Sequence, residues 1–255
     1  MGFVDLLKER AKKSIKTIVL PETEDMRTLE ATDKILKEGV AKIILIGNEE
    51  EINKKAAEGG FDISGATIVD PETSDKTQAY IDKFVELRAK KGMTPEKAKE
   101  ILHTQYPYYG VMMVKMGDAD GMVSGACHST ADTLRPCLQI LKTKPGTKLV
   151  SAFFLMVVPN CEYGANGAFV FADSGLNQNP TSEELAAIAA SSAESFELLV
   201  QEKPIVAMLS HSTKGSAKHA DVDKVVEATK IAKEQNSELA LDGEFQLDAA
   251  IVPSV

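Results

Sequence analysis

Residues 121–136, GMVSGACHSTADTLRP, bring small side chains and hydroxyl groups together in a pattern typical of an anion-binding loop. Ser124 and Gly125 leave the main chain almost uncovered, and Ser129 and Thr130 stand directly before a segment of helical character. Free backbone N–H groups and hydroxyls at a helix start bind phosphate, because they point at the anion and the helix dipole favours negative charge. We therefore expect an anion such as phosphate to bind at this loop.

Arg135 lies about a turn and a half further along and can donate two parallel hydrogen bonds to the same anion. The chain contains only four arginines, so few side chains can provide such a fork. Pro136 is unfavourable beyond the first turn of a helix, so we expect the helix to begin as late as Leu134 or to kink. The alternative interpretation of the segment is a tight strand-to-helix turn with an ordinary cap.

Two further segments place polar residues after an apolar strand. In residues 171–186, FADSGLNQNPTSEELA, the side chains of Asp173, Ser174 and Asn177 precede a helix that starts with the capping box TSEE. Polar groups at the carboxyl end of a strand are typical of ligand binding in open α/β sheets, but a polar connection that only caps the helix explains them equally well. In the second segment, MLSHSTKGSAKHADVDKV, Lys214 can bind phosphate or simply lie in solvent. No carboxylate or cysteine completes a recognisable metal-ligand spacing with its two histidines, His211 and His219, so we expect no metal site there.

Apolar runs alternate with amphipathic, Lys- and Glu-rich segments in the first part of the chain. KTIVLPE, AKIILIGN and ATIVDPE predict strands, and the segments after them predict helices. This order indicates a mostly parallel sheet with covering helices. DGMVSG and PIVAMLSHS predict two more buried strands, whereas KLVSAFFLMVVP and GAFVFADSG predict antiparallel neighbours because little room for a helix remains between them.

The sequence predicts two domains, residues 1–146 and 147–255, because Pro145 and Gly146 interrupt the pattern near KTKPGTK. The first loop then lies close to where the domains meet, and clefts between domains are favoured ligand sites. The last segment, DGEFQLDAAIVPSV, predicts neither a terminal helix nor a terminal strand.

Composition limits the function classes. A formal net charge of -9, with 44% hydrophobic and 26% charged residues, indicates a globular protein and argues against binding to nucleic acid or to an anionic membrane. Three separated cysteines without a CxxC pair, and an amphipathic rather than long apolar N-terminal segment, predict a reduced, cytoplasmic protein. The P-loop, Rossmann, nucleophile-elbow and HExxH signatures do not occur in the sequence.

At these loops the sequence closely resembles the phosphate acetyltransferase (phosphotransacetylase) family. The matching segments are, in the family's order, GMVSGACHSTADTLRP, FADSGLNQNPTSEELA, AMLSHSTKGSA and DGEFQLDAA. LPE…DMR and ELRAKKGMT also resemble family segments, so the resemblance covers essentially the whole chain. It implies two α/β domains with mostly parallel sheets and a cleft between them, an architecture like that of isocitrate and isopropylmalate dehydrogenases.

The resemblance also implies an activity: reversible transfer of an acetyl group between coenzyme A and inorganic phosphate. Coenzyme A, phosphate and acetyl phosphate are then substrates of a homodimer that needs no permanently bound cofactor and no metal. By motif match, Arg135 and Arg88 bind the anionic substrate. The residues expected to line the substrate site are Ser124, Gly125, Ser129 and Thr130, with Asp173, Ser174 and Asn177 as the facing wall. The implied mechanism is direct attack by the coenzyme A thiol, with Cys127 as a packing residue.

One departure from the family is large. The family continues past the last residue, Val255, with an Asn-Asp-Leu-Ser-Arg-Gly stretch and a nearby aspartate that is thought to act as the base. We therefore expect a truncated chain whose general base lies beyond Val255. The alternatives are a phosphate butyryltransferase, or a noncatalytic anion-binding protein if the chain truly ends there. A related decarboxylating dehydrogenase has less support, because no nicotinamide or metal constellation is visible.

Overall fold

The computed structural model describes residues 2–147 and 149–255. Met1 belongs to the segment predicted as an N-terminal helix and Lys148 to the segment predicted as a domain boundary, and both lie outside the described residues. The chain combines strands and helices, with a parallel sheet in its first part, so the predicted α/β class is confirmed. Within the described ranges, no helix is both long enough and apolar enough to cross a bilayer.

The chain divides into two compact units, Met1–Lys142 and Thr143–Val255, called unit 1 and unit 2. Each unit has its own sheets and its own buried apolar residues. The predicted boundary after residue 146 and the predicted cleft stay predictions.

Unit 1 is built on four parallel strands: β1 (Thr17–Leu20), β2 (Lys42–Ile46), β3 (Thr67–Val69) and β4 (Gly121–Met122). Their order in the sheet is β3-β2-β1-β4. Alternate side chains of β2 point to opposite faces, so Ile43 and Leu45 join one apolar cluster while Ile44 and Ile46 join another. Both faces of the sheet are therefore buried, as expected for a parallel sheet.

The helices of unit 1 are α1 (Phe3–Lys13), α2 (Met26–Glu38), α3 (Glu49–Gly59), α4 (Thr77–Arg88), α5 (Pro95–Thr104), α6 (Tyr106–Met116) and α7 (Thr130–Pro136). Side chains of α4, α5 and α6 cover one face of the sheet, and side chains of α2 and α3 cover the other. Gly110 lets α6 approach the strands closely, because a Cβ there would lie 2.8 Å from Met122 Sδ and 3.1 Å from Val19 Cγ1.

Unit 2 contains β5 (Phe153–Val157), β6 (Ala168–Ala172), α8 (Ser182–Val200), β7 (Ile205–Leu209), α9 (Ala220–Gln235), β8 (Ala240–Phe245) and α10 (Leu247–Ile251). β5 and β6 pair antiparallel, as the sequence predicts, whereas β7 and β8 pair parallel. Small residues of α8 and α9, including Ala186 and Ala228, pack with Met208 and Leu241 of the β7–β8 pair.

The sequence pattern does not mark α6, because its apolar and aromatic side chains show no one-sided periodicity and residues 107–113 are all buried. Two expectations differ from the structure. β7 is not a buried strand, since Ile205 is 87% exposed and Met208 is its one buried residue. The last segment contains β8 and α10, so the prediction of neither helix nor strand there is wrong.

Candidate active site

The loop after β4 lies at the carboxyl edge of the unit 1 sheet. β1 leads through α2 to β2 on one side, whereas β4 pairs with β1 on the other side. The winding of the chain therefore reverses between β1 and β4. Open parallel sheets bind ligands outside the carboxyl ends of their strands at such a switch point. The segments that follow β1 and β4 meet there, which makes this edge the candidate site.

Glu22 follows β1 and places its carboxylate beneath the loop after β4, where Glu22 is only 2% exposed. Its Oε2 accepts hydrogen bonds from the N–H groups of Gly125 at 2.6 Å and Ala126 at 2.8 Å. Its Oε1 accepts from the N–H groups of Cys127 at 3.0 Å and His128 at 2.9 Å, and from His128 Nδ1 at 2.9 Å. Four consecutive N–H groups thus form a concave anion nest, and a side chain of the protein occupies it.

These contacts correct one expectation from the sequence. The N–H groups of residues 125–128 are not free for phosphate, because Glu22 accepts from all four. Burial raises the pKa of Glu22, but the hydrogen bonds from Cys127, Ala126 and His128 outweigh it and hold the pKa well below its usual range. Gly125 has φ +120°, a conformation that L side chains rarely adopt, so glycine is required at this point of the nest.

Ser129 and Thr130 begin α7. Ser129 is the N-cap: its Oγ accepts from the N–H of Asp132 at 3.2 Å and donates to Asp132 Oδ2 at 2.6 Å. Thr130 occupies the first helical position and is exposed. The helix therefore begins well before Leu134, and the expectation of a late start is wrong. Ser124 lies within the same turn, with its Oγ 3.5 Å from Thr133 Oγ1.

Arg135 lies in the last turn of α7 with an exposed side chain. Its Nη1 is 3.4 Å from Asp132 Oδ1, and a surface ion pair of this length contributes little. The guanidinium therefore remains available to an incoming anion. Pro136 ends α7, and the chain continues as one turn of π-helix, Cys137–Leu141, which accommodates a proline that a regular helix tolerates poorly.

Arg88, the last residue of α4, lies in the same region. Within the described ranges its Nε is buried and has no hydrogen-bond partner. Burial raises the pKa of the Tyr108 phenol, and the positive charges of Arg135 and Arg88 both oppose that rise. Because a buried N–H without an acceptor is unfavourable, Arg88 is suited to an anionic ligand.

Cys127 is exposed in the loop and faces two carboxylates. Its Sγ lies 3.3 Å from Glu24 Oε1 and 3.6 Å from Glu22 Oε1. Burial of the thiol and the neighbouring charges of Glu24 and Glu22 raise the pKa of Cys127 to about 12. The thiolate is the nucleophilic form of cysteine, so this environment argues against a covalent role for Cys127.

In unit 2, the three predicted residues form one cluster. The Asp173 carboxylate accepts from the N–H groups of Ala152 at 3.1 Å, Leu176 at 2.7 Å and Asn177 at 3.1 Å, and from Asn177 Nδ2 at 2.7 Å. Burial raises the pKa of Asp173, but these hydrogen bonds outweigh it and lower the pKa overall. The hydroxyl of Ser174 donates to the carbonyl of Phe171 at 2.9 Å. These groups therefore hold their own loop together.

The loop after β7 repeats the arrangement seen at Glu22. The carboxylate of Glu244, which is 3% exposed, accepts from the N–H of Gly215 at 2.6 Å and from Ser212 Oγ at 3.0 Å. Lys214 is not simply solvated, because its Nζ lies 2.9 Å from Asp242 Oδ1 and donates to the carbonyl of Gly243 at 2.7 Å. A buried carboxylate thus organises each of two loops predicted to bind anions.

The structure brings the predicted residues of each unit together separately. In unit 1, Ser124, Gly125, Ser129, Thr130 and Arg135 share the loop after β4 and α7, while Arg88 ends α4; the set in unit 2 is Asp173, Ser174 and Asn177. Sequence reasoning missed Glu22, Tyr108 and Glu244. A carboxylate at the end of an apolar run was a usable signal for Glu22, whereas Glu244 and Tyr108 carry no such signal.

The sequence model of the family described as Phosphate acetyl/butaryl transferase matches residues 2–255. The chain is 57% identical over 255 residues to the phosphate acetyltransferase of Acetivibrio thermocellus, covering 100% of this chain and 76% of that protein. It is 55% identical over 255 residues to the phosphate acetyltransferase of Thermoanaerobacterium thermosaccharolyticum, covering 100% and 77%. The solved EutD phosphotransacetylase from Staphylococcus aureus superposes with a TM-score of 0.89 at 42% identity, covering 100% of this chain and 77% of that one.

Proposed function

The chain belongs to the phosphate acetyl/butaryl transferase family, and we propose that it transfers an acetyl group reversibly between coenzyme A and inorganic phosphate. The observation that carries this proposal is the continuous likeness to phosphate acetyltransferases over all 255 residues, site loops included. Coenzyme A, phosphate and acetyl phosphate are the substrates, and acyl transfer between them needs no permanently bound cofactor.

Arg135 and Arg88 are the residues we assign to the phosphate group. The support is that Arg135 is exposed with only a long ion pair, and that the buried Nε of Arg88 has no partner among the described residues. Arginine stays charged at all relevant pH values and matches phosphate bidentately. Ser129 and Thr130 present the start of α7 to the same ligand, and the Glu22 nest keeps the preceding loop in place. We also assign Asp173, Ser174 and Asn177, which lie in one loop of unit 2, to substrate binding.

The transfer proceeds by direct attack. The sulfur of coenzyme A forms a bond to the acetyl carbon, the bond from that carbon to the phosphate oxygen breaks, and the thiol proton leaves to a base. Positioning of the two substrates and stabilisation of the developing oxyanion supply most of the rate gain. The raised pKa of Cys127 supports a mechanism without an acyl-cysteine. We expect Cys127→Ser to keep most of the turnover, and a folded but inactive variant would revive the covalent route.

The first experiment measures thioester formation from coenzyme A and acetyl phosphate by the purified chain. Arg135→Ala should lower turnover at least about a hundredfold, the scale of losing one oriented charge-stabilising group. Arg135→Lys keeps the charge but loses the fork and should recover only part of the activity. Arg10→Ala, in α1, is the matched control and should leave turnover unchanged. Normal turnover in Arg135→Ala would remove Arg135 from the mechanism.

The same assay tests the acyl group. Acetyl and butyryl differ by two methylenes, each worth about 0.8 kcal/mol of burial, so the pocket alone gives a modest preference. We expect acetyl phosphate to be used faster than butyryl phosphate, because the relatives at 57% and 55% identity are named phosphate acetyltransferases. Binding of coenzyme A without turnover of either acyl phosphate would instead favour a noncatalytic anion-binding protein.

We propose further that the protein is a homodimer in a reducing compartment such as the cytoplasm. The β5–β6 pair exposes apolar side chains on both faces, Phe154 and Met156 on one and Phe153 and Val157 on the other. A two-stranded sheet exposed in this way is marginal by itself, and a second copy would cover it. All three cysteines are free thiols, which supports the reducing compartment. Light scattering should give a dimer that Phe154→Asp converts to a monomer; a monomeric wild-type protein would contradict the proposal.

A further inference from the structure

Three side chains capable of binding a metal ion, those of Glu22, Cys127 and His128, converge at the loop after β4, and none of them is assigned to a step of acetyl transfer. Cys127 Sγ lies 3.6 Å from Glu22 Oε1, 3.6 Å from His128 Nδ1 and 3.3 Å from Glu24 Oε1. His128 Nδ1 and Glu22 Oε1 are 2.9 Å apart. The ligand atoms of Glu22, Cys127 and His128 all lie within 4.8 Å of one another.

These separations match a tetrahedral site. With Zn–S near ~2.3 Å and Zn–N or Zn–O near ~2.0 Å, the S···N and S···O edges of the tetrahedron are about 3.5 Å and the N···O edge about 3.3 Å. The two edges from Cys127 Sγ to Glu22 and His128 therefore already fit. Only the contact between Glu22 and His128 must lengthen slightly, as its hydrogen bond gives way to two bonds to one ion.

Charge at the cluster favours a cation. Two carboxylates, those of buried Glu22 and exposed Glu24, lie beside the Cys127 thiol. The nearest guanidinium, that of Arg27, is engaged by Asp25 and by the carbonyl of Ala126. These negative charges favour a divalent ion at the thiol, and a coordinating thiol loses its proton. Exposed Cys127 and Glu24 leave a route from solvent.

We propose that Glu22, Cys127 and His128 form a binding site for one thiophilic divalent cation of the Zn²⁺ class, with a solvent molecule in the fourth coordination position. A mixed set of thiolate, imidazole and carboxylate ligands is characteristic of zinc. The backbone N–H groups that bind Glu22 act as outer-shell contacts, which fix the orientation of a ligating carboxylate. Binding releases the Cys127 proton to solvent. The site is independent of the proposed acetyl transfer. It cannot be recognised from the sequence, because Glu22 and Cys127 are 105 residues apart.

The test is a Co²⁺ titration of the full chain, followed by the near-ultraviolet charge-transfer absorption that a thiolate–cobalt bond produces. We expect one Co²⁺ per chain and displacement of it by Zn²⁺. Cys127→Ser should abolish the band. It should also weaken Zn²⁺ binding by more than roughly 10- to 100-fold, which is the typical effect of losing an outer-shell contact. Cys161→Ser, which changes a cysteine of unit 2, is the matched control and should keep the band. Because Cys127 is exposed, its serine variant should keep its fold and its basal acetyl transfer.

Two outcomes would overturn the site: no charge-transfer band at saturating Co²⁺, or a band that persists in Cys127→Ser. A second measurement does not depend on cobalt. Zn²⁺ should slow alkylation of Cys127, measured by peptide mass spectrometry, while Cys161 reacts at an unchanged rate; equal rates at Cys127 with and without Zn²⁺ would contradict binding there.

Discussion

Replacing Glu22 by glutamine probes the nest beneath the loop after β4 with almost no change in side-chain size. The carboxylate accepts from four backbone N–H groups, two on each oxygen, and from His128 Nδ1. A carboxamide keeps one oxygen and replaces the other with an NH₂ donor. Whichever way the amide is oriented, two backbone N–H groups lose their acceptor and face another donor.

The expected loss of stability follows from that count. Each buried donor left without a partner costs about 1–3 kcal/mol, so two give about 2–6 kcal/mol. Gly125 and Cys127 are exposed, so the loop can move toward water, and we expect the lower half of that range, roughly 2–4 kcal/mol. This is a large part of the stability of a domain, about 5–15 kcal/mol. Urea unfolding followed by circular dichroism measures it.

The pH dependence provides an independent check. The folded-state pKa of Glu22 lies below its ordinary value, so its stabilisation is fully present above the unfolded-state pKa and is lost as pH falls through the folded-state pKa. The difference in stability between the wild type and Glu22→Gln should therefore narrow once the pH drops below the ordinary glutamate value of about 4.3.

A matched control and a local measurement make the reasoning refutable. Glu24→Gln makes the same chemical change two residues away on an exposed side chain and should alter stability by no more than about 0.5 kcal/mol. Amide hydrogen exchange of residues 125–128 should accelerate in Glu22→Gln and stay slow in Glu24→Gln. If Glu22→Gln unfolds at the wild-type urea concentration and these amides exchange as slowly as before, the nest is not what holds the loop.

Two further predictions concern unit 2. Asp173→Asn should lower the stability of unit 2 by about 1–3 kcal/mol, because an NH₂ group then faces N–H donors in the loop. In the same urea experiment, Ser174→Ala should lower the stability by less than half as much. Equal effects of the two substitutions would contradict the role of the carboxylate. Thr181→Ala should cost about 1 kcal/mol, because the Thr181 hydroxyl caps α8. Thr181→Ser keeps the cap and should behave as the wild type, and a loss of equal size in both variants would show that the cap is not the cause.

Local patterns were sufficient for much of the fold. The continuous apolar run of residues 43–46 marks a strand that is buried on both faces. Its residues divide between the two apolar clusters, with Ile44 and Ile46 in one and Ile43 and Leu45 in the other. The capping box at Thr181 depends on neighbours three residues apart and is present as predicted. Such features are readable because every interacting group lies within a few residues in the chain. The helix α6 was missed for the opposite reason: it is buried all round, so no one-sided pattern marks it.

The candidate site shows where local pattern stops being informative. The sequence alone gives residues 121–136 an anion-binding character. It also limits the side chains that can bind phosphate with a guanidinium group, because the chain has only four arginines. Only the tertiary structure shows that the backbone N–H groups of residues 125–128 bind the carboxylate of Glu22. Glu22 lies 103 residues before Gly125, and the two meet because β1 and β4 are parallel neighbours whose carboxyl ends share one edge of the sheet. Strand order is a non-local property, set by how helices on both faces bury the sheet, and no short window of sequence contains it.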